Sequence, residues 1–131
     1  MDESTTTEPP VLLDGARVLE YAWLPREEGD SERMRGLVAG VPLAAGVVST
    51  LVIAENLVEQ GVFLIHCDDE WGTVIGESYA DVESARIAAA EAYRGDTVAW
   101  VRFRDLTEQE VREVETTRTF LREIAAEFPP G

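Results

Sequence analysis

From Gly36 to Ala54 the chain carries no charged side chain, and Arg33 and Arg35 stand just before the run. A stretch of that length and character suits either a membrane span or strands buried inside a core. Gly40, Pro42 and Gly46 interrupt it, and Val47, Val48, Thr50, Val52 and Ile53 are β-branched. Both features favour a strand–turn–strand path through a buried sheet over one continuous helix. The fold is therefore expected to grow around a buried sheet rather than a membrane span.

The neighbouring segments extend that sheet. Val47–Ala54 and Val62–Cys67 flank Glu55–Gly61, where Asn56 and Gly61 are turn formers, and this is the pattern of a hairpin. Asp68-Asp69-Glu70 then makes a second tight turn into Trp71–Gly76, so the middle of the chain predicts an antiparallel meander. Upstream, Arg17–Leu24 alternates, with Leu19, Tyr21 and Trp23 on one side and Val18, Glu20 and Ala22 on the other, before Pro25 stops the strand. Arg26–Arg35 reads as a solvated loop, followed by a short strand near Leu37–Ala39. Downstream, Asp81 is a good helix N-cap. Val82, Ala85, Ala89, Ala92 and Tyr93 follow on one face until Arg94-Gly95 closes the helix. Thr97–Arg104 returns to strand periodicity. Thr107 and Glu110 then form a capping box, with Leu106 and Val111 as its staple. The last helix runs to about Phe128, with Val111, Val114, Leu121, Ala125 and Phe128 as the expected buried stripe and Pro129-Pro130 ending it.

These elements predict an α+β fold: an antiparallel sheet of about five or six strands with two helices packed on one face. A chain of 131 residues suits one core. The expected organisation is a disordered, Thr- and acid-rich tail over residues 1–10, one domain over 11–128 and a C-terminal end over 129–131.

Charge narrows the function. Asp and Glu number 26 against 11 basic residues, all of them arginine, for a formal net charge of −15. Such a field repels phosphate backbones and anionic lipid, so neither direct nucleic-acid binding nor membrane attachment is expected. A basic protein partner fits the charge; so does a composition adapted to salt or to a GC-rich genome. Cys67 is the only cysteine, which rules out an intramolecular disulfide and a multi-cysteine zinc site. Met1-Asp2-Glu3-Ser4 lacks the basic and apolar segments of a signal peptide, and a cytoplasmic location is expected.

The densest chemistry lies in His66-Cys67-Asp68-Asp69-Glu70-Trp71, which holds the only His and the only Cys beside three carboxylates. Neighbours on a strand point to opposite faces, so His66 and Cys67 are not expected to meet as a nucleophilic pair. One His and one Cys with turn carboxylates make a poor transition-metal set, and Asp68, Glu70 and Gly72 miss the calcium-loop spacing. The carboxylates fall in turns, caps and exposed helix faces rather than in acid–base pairs. Phosphate cradles and a Gly-x-Ser-x-Gly elbow are missing. No catalytic residue, metal or cofactor is therefore expected. Arg118, inside the apolar stripe, is expected to extend its head to solvent rather than pair with a carboxylate. Arg102 and Arg104, on one face of a strand end, are expected to be neutralised internally. Ile87, among Glu83, Glu91 and Arg94, and Phe120, off the stripe, are the apolar candidates for contact with another chain. With Asp68, Asp69 and Glu70 they make up the candidate partner-binding set.

The run from Phe63 through Cys67-Asp68-Asp69-Glu70-Trp71 to Gly76, continued by Asp81-Val82-Glu83-Ser84-Ala85, Ala90-Glu91-Ala92-Tyr93-Arg94-Gly95 and Trp100, resembles a module of short bacterial α+β proteins without an assigned activity. In these a strand, a Cys-Asp-x-x-Trp turn, a second strand and a Glu-x-Ala helix follow one another. The resemblance implies a compact unit in the bacterial cytosol and transfers no catalytic residue. Its physical logic is that a turn acid binds backbone amides, the Trp covers the sheet edge and the Ala-rich helix packs over the hairpin.

The sequence thus leads to a non-catalytic acidic protein-binding domain, of immunity, antitoxin or adaptor type, with a basic partner. The alternatives are a small-ligand sensor or an enzyme relying on Arg and carboxylates, and a domain with salt-adapted composition.

Overall fold

The computed structural model describes residues 8–24, 37–38, 41–42, 48–93 and 98–127. Its strands are β1 (Leu12–Leu13), β2 (Ala16–Trp23), β3 (Leu37–Val38), β4 (Val41–Pro42), β5 (Thr50–Glu55), β6 (Val62–Cys67), β7 (Thr73–Tyr79) and β8 (Val101–Arg102). The helices are α1 (Val82–Ala92) and α2 (Glu108–Glu127). One antiparallel sheet has the order β1-β2-β5-β6-β7, with β8 also paired to β2, and β3 and β4 form a separate two-stranded ribbon. The protein is of the α+β class, and β5-β6-β7 is the expected meander.

β5 explains the uncharged run. It sits at the centre of the sheet between β2 and β6, and Thr50 to Ala54 are all buried, so every side chain from either face must be accommodated without water. Among the described residues no helix is long and apolar enough to cross a membrane.

The sheet separates two apolar layers. On one face Leu51, Ile53 and Leu64 meet Ala85 and Ala89 of α1 and Tyr93, the residue that caps its C-terminus. The small alanines let that helix lie close over β6 and β7. Its start is the expected one, with the Asp81 carboxylate accepting the Ser84 N–H at 2.8 Å. On the other face Val18, Val52, Ile65, Cys67, Trp71 and Phe103 form the second layer.

Two features of β2 depart from the expected alternation. The register shifts between Val18 and Glu20, so Leu19 is an extra residue in the strand. Val18 and Tyr21 therefore pack in the second layer while Leu19 joins the α1 layer, which separates Leu19 from Tyr21. Ahead of it, Asp14 and Gly15 both have positive φ (54° and 79°) and close a two-residue hairpin between β1 and β2. The Asp-Gly dipeptide carries that signal, although a strand read from Arg17 onward passes over it.

The outer edge of β2 is shared. β1 covers Ala16 and Arg17, and β8 covers Glu20 and Tyr21, so the strand expected over Thr97–Arg104 is paired only at Val101–Arg102 among the described residues. The capping box of α2 forms as expected: the Thr107 N–H donates to Glu110 Oε1 (2.9 Å) and the Glu110 N–H to Thr107 Oγ1 (3.1 Å). Its apolar stripe is covered less than expected. Val114 is buried and Leu121 and Ala125 are half-buried, but Val111 is 46% exposed. Single contacts tie this helix to the sheet margin: Arg118 to Glu55, and Arg122 Nε to the Leu57 carbonyl at 3.0 Å.

Of the tail, Glu8 pairs with Arg104 at 3.2 Å and Pro9 is buried. Residues 1–7, the loop over 26–35, the Arg94-Gly95 helix stop, and Phe128 with Pro129-Pro130 lie outside the described residues.

Candidate functional site

The turn after β6 is built by its own residues. Asp68 Oδ1 accepts the N–H groups of Glu70 (2.9 Å) and Gly72 (2.8 Å), and the Asp68 carbonyl accepts the Thr50 hydroxyl (2.9 Å). A Cβ on Gly72 would lie 2.7 Å from Asp68 Oδ2, so only glycine lets the carboxylate fold over the turn. Trp71, at φ 65°, swings back under the sheet, where it is buried against Tyr21 and Trp23. Asp69 and Glu70 are left exposed at the tip. Replacing Asp68 with Ala is expected to destabilise the fold by about 2 kcal/mol, because two amides lose a charged acceptor. Urea unfolding would measure it, and an unchanged midpoint would count against this account of the turn.

His66 and Cys67 diverge as strand neighbours must. Cys67 is fully buried in the second layer, and burial pushes its thiol up to about 12, far from a reactive thiolate. His66 is fully buried on the α1 side, with Nδ1 at 2.6 Å from the Tyr93 hydroxyl and Nε2 at 3.4 Å from Glu77 Oε1. Burial lowers its pKa, against the opposing pull of the Glu77 hydrogen bond and charge. The imidazole thus fastens α1 to β6 and β7. Sequence reasoning missed Tyr93 and Glu77 as its partners, since Tyr93 lies 27 positions away and only the packing of α1 joins them. Among the described residues no group of three or more His, Cys, Asp or Glu is placed to hold a metal ion.

The arginines divide. Arg104 is neutralised as expected, with Nη1 and Nη2 each 2.8 Å from the Glu110 carboxylate. That guanidinium, with the Thr107 amide, holds the Glu110 carboxyl down at about 2. Arg118 departs from expectation: it pairs with Glu115 on its own helix and with Glu55 at 3.6 Å, both within reach of its head. Arg102 departs the other way. Its cross-strand neighbour Glu20 is taken by Arg86 (Nε 2.9 Å), and Arg102 has no ion pair among the described residues. Arg17 has a long contact to Glu55 (3.9 Å), and its Nε is buried without a hydrogen-bond partner.

The candidate contact residues fall on three elements. Asp68, Asp69 and Glu70 belong to the β6–β7 turn, with Asp68 committed to the turn itself. Ile87 on α1 is 53% exposed and Phe120 on α2 is 59% exposed. Ile124, 39% exposed one turn beyond Phe120, belongs with it and was legible from the i, i+4 spacing. No known family, curated protein or solved structure matches the chain.

Proposed function

We propose that the chain is a non-catalytic protein-binding domain, of immunity, antitoxin or adaptor type, acting in the cytoplasm on a basic partner. The supporting observation is that each helix presents exposed apolar side chains bracketed by carboxylates. Ile87 stands one turn from Glu83 and one turn from Glu91, both exposed; Phe120 and Ile124 stand beside exposed Glu123 and Glu127. An apolar anchor ringed by negative charge complements a basic amphipathic surface: burial of the anchor supplies affinity, and the ring steers encounter and excludes acidic competitors. The turn acids Asp69 and Glu70 extend the same field.

The probe is a labelled helical peptide of Leu and Arg, compared with a peptide of equal charge in which Gln replaces Leu. Fluorescence anisotropy is expected to show binding of the first that weakens as salt rises. Ile87→Ser combined with Phe120→Ser is expected to reduce it about tenfold. Equal binding of the Gln peptide, or full affinity in the double variant, would sink the proposal.

A further inference from the structure

β7 is the last strand of the sheet, on the side away from β1, β2 and β8, and among the described residues it pairs only with β6. Two bonds elsewhere show which of its backbone groups that pairing uses. The Gly61 and Cys67 carbonyls accept the Asn56 and Ser49 N–H groups at 3.1 and 2.8 Å, so the odd-numbered residues of this segment face β5. Val62, Leu64 and His66 therefore face β7, where they stand opposite Tyr79, Glu77 and Ile75. Gly76 and Ser78 alternate with those partners and turn their N–H and C=O groups outward, and both residues are exposed. The free edge begins beyond Thr73, whose hydroxyl donates to Asp14 of the β1–β2 turn.

Among the described residues nothing requires glycine at position 76. A Cβ on Gly61 would lie 2.9 Å from the Tyr79 carbonyl, but a Cβ on Gly76 would meet only the Leu64 carbonyl at 3.9 Å and Ile65 Cγ1 at 4.0 Å, which are ordinary contacts. Glycine weakens a strand interior and often marks a place where another backbone or a ligand comes close. Gly76 and Ser78 stand opposite Ile65 and Phe63, so β7 is low on the second-layer face beside the half-buried Phe63 ring. A large apolar side chain on a neighbouring strand would lie across Gly76 and cover that ring.

Charge selects the neighbour. Between Gly36 and Ala85 the chain has no lysine or arginine. Asp69 and Glu70 before β7, and Asp81 and Glu83 after it, are exposed, and Glu77 lies within the strand. Arg86, the first arginine after this stretch, is held by Glu20 of β2. A second copy of the chain would bring a further net charge of −15 to the same edge, whereas a basic strand meets carboxylates along its length.

We infer that β7 takes on an extended segment of a basic protein as a further antiparallel strand, with a large apolar side chain over Gly76 and arginine or lysine at the positions on either side. The segment's backbone bonds Gly76 and Ser78, and its basic side chains fall on the α1 face with Glu77 and near the acids at the two ends of the strand. The inference rests on the proposed function only for the sign of the partner, since the surface and the bound conformation both differ from those of the helix anchors.

The test is a titration of the full chain, at physiological salt, with a labelled peptide of alternating Arg and Val around one central Phe, read by anisotropy and by amide hydrogen exchange. Saturable binding is expected. The Gly76 and Ser78 amides are expected to exchange freely in the unbound chain, unlike those of Ile75 and Glu77, and to become protected with the peptide. N-methylation of the Phe nitrogen, which removes the donor to the Gly76 carbonyl, and replacement of every Arg by Glu are each expected to weaken binding at least about tenfold. Gly76→Val is expected to leave the urea midpoint no lower, since valine suits a strand, and to weaken the peptide about tenfold by filling the space over position 76. The helical peptide of Leu and Arg is expected not to displace the extended one. Absence of saturable binding, equal binding of the N-methyl or Glu peptide, unchanged affinity in folded Gly76→Val, or displacement by the helical peptide would each overturn the inference. So would protection of the Gly76 and Ser78 amides in the unbound chain, whether from its own fold or from a second copy at high concentration. The exchange measurement uses the unaltered chain and decides the matter whatever Gly76→Val does to folding.

Discussion

Trp71→Ala is expected to destabilise the protein by roughly 3–5 kcal/mol, the largest effect of any single truncation considered, and to abolish most of the near-ultraviolet dichroism. The indole is 5% exposed and meets Tyr21 edge-on at 5.7 Å and Trp23 at 5.2 Å. Its removal therefore takes away both a large buried area and two oriented ring contacts. The cavity would not close easily, because Trp71 is set at positive φ by a turn whose amides are fixed on Asp68. Chemical denaturation would give the loss. A value below 1 kcal/mol, about that of an exposed substitution, would mean that the second apolar layer does not depend on the indole.

Stability is also expected to fall as the solution is acidified below about pH 6.5, the ordinary His value, and this fall should vanish in His66→Leu. Burial lowers the folded-state pKa of His66 beneath its unfolded value. Above the unfolded value both states hold a neutral imidazole and the folded state keeps its full advantage. As pH drops through that value the unfolded chain takes up a proton that the folded chain refuses, so stability is lost until the folded-state pKa is reached. The slope of a single such group is at most about 1.4 kcal/mol per pH unit. Glu77 works against burial and makes the loss smaller than an isolated imidazole would show. Urea midpoints at several pH values between 5 and 7.5 would test it. A wild-type slope no steeper than that of His66→Leu would contradict the assignment. The variant should also be less stable at neutral pH, since the Tyr93 hydroxyl would lose its partner at 2.6 Å.

Much of the architecture was legible because it rests on short-range rules. The hairpin of β5 and β6 follows from Asn56, whose side chain accepts the N–H groups of Val58 and Glu59, and from Gly61 at φ 122°. The caps at Asp81 and at Thr107 with Glu110 formed where the residue types demand them. The opposition of His66 and Cys67 followed from the pleat. Less legible was the phase of β2, because one extra residue at Leu19 reverses which side chains face α1, and nothing local in the residue types signals a bulge. The coverage of α2 is likewise not legible, since an amphipathic stripe shows which side of a helix prefers burial without showing how much surface lies opposite it.

The residues alone determined the alternation, the turns, the caps and the acidic surface, since each depends on backbone and side-chain preferences over a few positions. Only the tertiary structure decided that His66 meets Tyr93, that Glu20 goes to Arg86 and leaves Arg102 unpaired among the described residues, and that β7 stands at the margin of the sheet with Gly76 and Ser78 facing outward. Those outcomes depend on which strand edge and which helix arrive at the same place from far apart in the chain. That choice is made by the packing of the whole sheet and is written in no local stretch of residues.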